Sequence, residues 1–199
     1  MKMPPRLGAV LLSFALATSI ALAGAAGIKK ALDRVAIPRD AAFYRDLAYA
    51  SNAHERQKLD LFVPANATNP PLVILIHGGA FRAGSKENMR PAPFLRQGYA
   101  VASINYRLSG EAKFPALVQD ARAAVRWIRR NASRYGFDPD RIVAWGGSAG
   151  GYLSSMLAVS GTVPGLEDPS LENGETPCHI QAAVVWYGPT NFLKMDEQL

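Results

Sequence analysis

Short apolar runs punctuate this chain, and their spacing predicts a sheet threaded by helices. Leu72-Val-Ile-Leu-Ile76 and Tyr99-Ala-Val-Ala-Ser-Ile104 are continuous rather than alternating, as expected for strands buried on both faces of a parallel sheet. Arg141-Ile-Val-Ala-Trp145 and Ala182-Ala-Val-Val-Trp186 read the same way. Lys58-Leu-Asp-Leu-Phe-Val-Pro64 instead alternates, with Leu59, Leu61 and Val63 on one side, which predicts a half-buried strand in an antiparallel start. Between the strands the period changes. Pro115 opens a stretch in which Leu117, Ala121, Ala124, Val125 and Ile128 recur at helical spacing, and Gly136 is placed to stop it. Tyr152 to Val159 is a second predicted helix. Strands alternating with helices predict βαβ units, hence an α/β fold with a mostly parallel sheet between layers of helices.

Composition narrows the class. Apolar residues make up 49% of the chain and charged residues 19%, which is globular and enough for one sizeable core. The formal net charge of +6 is scattered, apart from Arg126, Arg129 and Arg130. Those three fall late in the predicted long helix, where cations suit the negative end of the dipole. They read as a solvated face and not as a nucleic-acid patch, so no nucleic-acid partner is expected. Cys178 is the only cysteine, which excludes a disulfide within the chain and a metal site built on cysteines.

The first residues carry their own pattern. Lys2 and Arg6 precede the uncharged stretch Leu7–Ala23, and Ala21-Leu-Ala23 and Ala23-Gly-Ala25 both offer small-x-small cleavage sites. Residues 1–25 therefore read as a secretory signal and predict a secreted or periplasmic protein. The apolar run is also long enough to span a bilayer, so an uncleaved N-terminal membrane anchor is the alternative. Residues 26–42 read as a linker and 43–199 as the folded domain.

Two motifs carry chemistry. Gly146-Gly-Ser-Ala-Gly150 follows one predicted buried strand and precedes a predicted helix. That is the nucleophile-elbow pattern, in which a sharp turn lifts the Ser148 hydroxyl above the sheet and crowds the flanking glycine positions. The Ala149 N–H, at the helix start, then points at a developing oxyanion. A phosphate-binding turn also joins strand to helix, but neither G-x-G-x-x-G nor G-K-S/T is present. The second motif, His77-Gly-Gly-Ala-Phe81, follows the Leu72–Ile76 strand and is a close variant of the H-G-G-G loop that supplies further oxyanion donors. Ala80 replaces its third glycine and still offers an N–H. His77 reads as a residue that shapes this loop, and His54 as a surface residue of the early hairpin.

These motifs, together with Asn105-Tyr-Arg-Leu108, Phe114-Pro115, Asp138-Pro-Asp-Arg-Ile142 and Tyr187-Gly-Pro-Thr-Asn-Phe192, resemble the α/β-hydrolase fold esterases of the hormone-sensitive-lipase and carboxylesterase group. More narrowly, the chain is similar to bacterial members with feruloyl- and acetyl-xylan-esterase-like character. The resemblance implies a three-layer α/β-hydrolase fold and hydrolysis of small-molecule carboxylic esters, with no metal and no organic cofactor. By it Ser148 is the nucleophile, and Gly79, Ala80 and Ala149 form the oxyanion hole. Asp120, Arg107 and Asp138 take structural roles in pairing and turn-capping.

The expected triad order is Ser, then Asp or Glu, then His. His179 is the only histidine after Ser148 and precedes the 182–188 strand, six or seven residues long. That places it at the opposite end of the sheet, roughly 20 Å away. Asp196 follows that strand but has no histidine to orient. The chain is therefore expected to lack the last strands and helices of the fold, and to be inactive by itself. Two alternatives stand beside a serine esterase: a peptidase or amidase built on the same site parts, and a truncated product without activity.

Overall fold

Leu72–Ile76, the most apolar run of the chain, becomes a central strand because every side chain it carries can be covered. The computed structural model describes residues 36–51, 54–161, 163–168, 170–171 and 175–194. The expected leader, most of the expected linker and Asp196 lie outside them. The described strands are β1 (Ala42–Ala48), β2 (Lys58–Val63), β3 (Leu72–Ile76), β4 (Ala100–Ile104), β5 (Ile142–Gly147) and β6 (Ala182–Trp186). They form one sheet in the order β1-β2-β4-β3-β5-β6. β4, β3, β5 and β6 run parallel, while β2 is antiparallel to both β1 and β4. Ile74 lies opposite Ala102 on one side and Ala144 on the other, and all three are fully buried.

Helices α1 (Ala92–Leu95), α2 (Ala116–Tyr135) and α3 (Ala149–Val159) cover the two faces. Leu72, Ile74 and Ile76 pack with Val118, Val125 and Ile128 of α2 and with Leu153 and Leu157 of α3. The alternate residues Val73 and Leu75 pack with Leu95 of α1 and with Phe62 and Val101. That alternation makes three layers. Each fully buried Ile or Leu contributes about 1.5–3 kcal/mol. α2 begins directly after Pro115 and ends at Gly136, whose N–H bonds the Ala132 carbonyl from the left-handed region (φ 79°), as the pattern predicts.

The structure corrects three expectations. β2 is not half-buried: Asp60 and Phe62, on its supposed outer side, are 4% and 5% exposed. Phe62 belongs to the α1-side core and stacks on Phe43, while Asp60 receives the buried Lys86 ammonium at 2.9 Å. Alternation hid this because a buried ion pair looks like a solvent face in sequence. Arg126, Arg129 and Arg130 are likewise not one solvated face. Arg130 is exposed, but Arg126 is buried, donating to the Thr176 carbonyl and pairing with Glu167, and Arg129 donates to the His179 carbonyl. The third correction is β6. Its apolar run taken alone reads as buried on both faces, yet Val185 and Trp186 are exposed; among the described strands β6 is an edge, as the expected lack of the later strands implies.

Candidate active site

Ser148 stands at the junction of β5 and α3 with φ 55° and ψ −123°, a conformation that costs a non-glycine residue energy and persists only when its surroundings impose it. Those surroundings are glycines. A Cβ at Gly146 would overlap the Gly150 carbonyl oxygen, and one at Gly150 would overlap the Ile76 carbonyl oxygen of β3. The elbow can close only because neither residue has a side chain. The Ser148 N–H donates to the Trp186 carbonyl at 2.9 Å, which ties the turn to the end of β6. Among the described residues no hydrogen bond engages the Ser148 hydroxyl.

The loop after β3 lies directly against this elbow. A Cβ at Gly78 would sit 3.0 Å from the Gly147 carbonyl oxygen and 3.4 Å from Ser148 Cβ. Gly79, Ala80 and Phe81 follow with φ of 119°, 52° and 62°. Left-handed geometry at an alanine and a phenylalanine in succession is strained. The loop closes on itself through Arg82 N–H and Ala83 N–H, which both donate to the Gly79 carbonyl. The N–H groups of Gly79 and Ala80 donate to no such backbone acceptor among the described residues. Ala149 is the first residue of α3, so its N–H has no partner within the helix. The backbone N–H groups of Gly79, Ala80 and Ala149 thus have no backbone acceptor among the described residues, and the loop that carries two of them lies against the elbow at Gly78.

His77 is 2% exposed and stacks on the Tyr106 ring, with centroids 4.4 Å apart. Its Nδ1 is 2.8 Å from the Gly78 carbonyl oxygen and its Nε2 is 3.2 Å from Arg56 Nη2. With both nitrogens engaged it shapes the loop and is not placed as a base for Ser148. Burial pushes its pKa below the ordinary imidazole value, and the Arg56 cation adds to that, while the Gly78 carbonyl and Glu87 oppose it. His54 is exposed in the β1–β2 turn, three strand positions from β5, or about 14 Å across the sheet. His179 precedes Gln181, whose N–H bonds the carbonyl of Ile142 at the start of β5, so it sits at the end of the sheet away from Ser148. None of the three histidines is placed to take the Ser148 proton.

Asp120 is fully buried and accepts from the Arg107 N–H and guanidinium and from Gln57 Nε2. Asp138 accepts from the Asp140 N–H and pairs with Arg141. Sequence reasoning missed Arg56 and assigned no role to Tyr106, although Tyr106 lies inside the Asn105-Tyr-Arg-Leu108 motif.

Beside the elbow opens an apolar cavity of about 530 Å³. Its walls include Phe81, one residue past Ala80, and Tyr152, one helical turn past Ser148, together with Phe114, Leu117 and Phe192. Phe81, Tyr152 and Phe192 touch one another edge-on or tilted at 5.3–6.0 Å. No group of three or more His, Cys, Asp or Glu side chains among the described residues is arranged to hold a metal ion.

A strained serine between a parallel strand and a helix, under a glycine loop from the neighbouring strand, defines the α/β-hydrolase fold. Residues 59–199 match the BD-FAE family, and the chain belongs to it. It is 36% identical over 138 residues to Esterase LipQ of Mycobacterium tuberculosis, a match covering 65% of this chain and 31% of LipQ. Among solved structures it resembles a truncated carbohydrate esterase from gut microbiota, with 33% identity and a TM-score of 0.74 over 81% of this chain and 62% of that one. It also resembles the thermophilic esterase Est2 of Thermogutta terrifontis, with 28% identity and a TM-score of 0.64 over 79% and 56%. The chain therefore spans about a third of that relative and about three-fifths of those two structures.

Proposed function

We propose that the protein is a serine hydrolase of carboxylic esters in which Ser148 is the nucleophile. The observation that supports this most is the strained φ of Ser148 together with the close approach of Gly78 to its Cβ. Ser148 Oγ attacks the ester carbonyl, and the oxygen that becomes negative accepts from the N–H groups of Gly79, Ala80 and Ala149. Loss of the alcohol leaves an acyl-serine, which water then hydrolyses. The cavity lined by Phe81 and Tyr152 receives the apolar part of the ester. The base is a histidine from outside these 199 residues, since triad order places it C-terminal to Ser148 and His179 is at the wrong end of the sheet. A fluorophosphonate probe should label the active protein and fail on Ser148→Ala; equal labelling of both forms rejects the assignment.

The pattern of residues 1–25, a charged start, an apolar run and small residues, supports a second part of the reading, export with cleavage near Ala23 or Ala25. Intact-mass measurement of the extracytoplasmic protein should find the shortened N-terminus. Full-length chain held in membranes would instead favour the anchor.

A further inference from the structure

Arg56 enters the site from the turn between β1 and β2 and makes contacts that fix the chemical form of His77. Its Nε donates to the Tyr106 carbonyl at 2.9 Å, its Nη2 donates to the Gly84 carbonyl at 2.9 Å, and the same Nη2 lies 3.2 Å from His77 Nε2. A guanidinium has donors only, so His77 Nε2 must accept. The other ring nitrogen faces the Gly78 carbonyl oxygen, which only accepts, so Nδ1 must carry the hydrogen. One form of the ring satisfies both contacts, the neutral imidazole protonated on Nδ1.

The packing leaves that ring no freedom. Tyr106 stacks on it and donates its hydroxyl to the His77 carbonyl at 3.0 Å. Gly84 closes the other side; a Cβ there would lie 2.5 Å from His77 Nδ1 and nearer still to the Gly78 oxygen. The charged and titratable groups around the ring are Arg56 from the β1–β2 turn, Tyr106 from the segment after β4, and Glu87 from the turn after the loop. Glu111 pairs with Arg56 at 3.7 Å.

The consequence runs through one peptide plane. The Gly78 carbonyl and the Gly79 N–H belong to the same trans peptide, where they point in opposite directions. Holding the carbonyl on His77 Nδ1 turns the Gly79 N–H away from the imidazole. We propose that Arg56 is a positioning residue for the oxyanion hole: it fixes His77 as the Nδ1–H tautomer, which sets the Gly78–Gly79 peptide and so aims the Gly79 donor. Its effect on turnover rests on the esterase reading above, whereas the tautomer does not.

The test is long-range ¹H–¹⁵N NMR on the histidine-labelled protein, read beside steady-state kinetics, on a p-nitrophenyl ester, of the protein completed with the C-terminal segment that carries its base. In the parent, His77 should show a protonated Nδ1 and a bare Nε2. In Arg56→Gln that signature should give way to mixed or protonated forms, and kcat should fall about 10- to 100-fold with KM within about twofold. Arg56→Lys keeps the charge but replaces the fork with a point donor, and should lie between; it carries both measurements should Arg56→Gln not fold. A parent ring protonated on Nε2 overturns the proposal. So does a folded Arg56→Gln protein in which either the tautomer or kcat is unchanged. The expected tautomer with no ester turnover in any form rejects the esterase reading and leaves the Arg56–His77 assignment intact.

Discussion

The two turns that meet over the ends of β3 and β5 are strained to a similar degree but held by different means. The Gly146–Gly150 elbow is fixed by what is missing. Gly146 abuts its own turn, Gly150 abuts Ile76 of the next strand, and Gly147 lies against the Tyr187 ring, so close approach at the glycines enforces the geometry. The His77–Gly84 loop is fixed by side chains from remote parts of the chain: Arg56 from the β1–β2 turn, Tyr106 from beyond β4, and Asp120 of α2 behind them, gripping Arg107. The elbow is thus a turn whose residue requirements a short motif describes, although β3 and β6 help to hold it. The His77–Gly84 loop depends on the assembled fold, and should be the easier of the two to disturb from a distance.

The most severe break of the comparison removes the elbow's chemistry while sparing its shape. In the protein completed with its C-terminal base, Ser148→Ala should lower ester turnover by about 10⁴- to 10⁶-fold at unchanged thermal stability, as loss of a nucleophile does. A retained rate would dismiss Ser148.

Asp120→Ala comes next and attacks the loop's foundation. It leaves the part-buried Arg107 guanidinium without its bidentate partner inside the core, and should cost about 3–5 kcal/mol. Chemical denaturation would read this; a loss below about 1 kcal/mol would mean that α2 does not brace the loop.

Gly150→Ala tests the elbow's dependence on absent side chains. Its Cβ would overlap the Ile76 oxygen, so the turn must shift at about 1–3 kcal/mol. Gly110→Ala, where a Cβ meets nothing within 4 Å, should stay within about 0.5 kcal/mol of the parent. Equal costs at the two positions would break the close-approach argument.

The smallest effect is the pH dependence of the loop. Burial holds the folded pKa of His77 below its unfolded value, so unfolding takes up a proton. The stability from its neutral form is complete above the ordinary imidazole pKa. It is lost as pH falls from there through the depressed folded value. Urea midpoints should decline from pH 7 to pH 5, and the His77 resonances should titrate below the usual imidazole range. A His77 that titrates at or above that range contradicts the tautomer lock.

Sequence reading recovered what depends on neighbours along the chain. Continuous apolar runs marked β3, β4 and β5 because a central parallel strand meets apolar side chains on both faces. Pro115 and Gly136 bracketed α2 because each acts on the backbone where it stands. The elbow was legible for the same reason: a tight turn specifies its residues within five positions. What eluded the sequence were contacts between distant segments. Asp60 looked solvent-facing because its partner Lys86 arrives from another loop, and Arg126 looked like a surface cation because Glu167 and Thr176 fold over it.

The sequence by itself therefore determined the α/β layering and the sharp turn at Ser148, since each follows from local backbone constraints and hydrophobic period. Only the tertiary structure decided the order of the strands and the form of His77. A proton's position on an imidazole is set by the donor and acceptor that face it. Here those are Arg56 and Gly78, one of them 21 residues from His77 along the chain and brought to it only by the folded sheet.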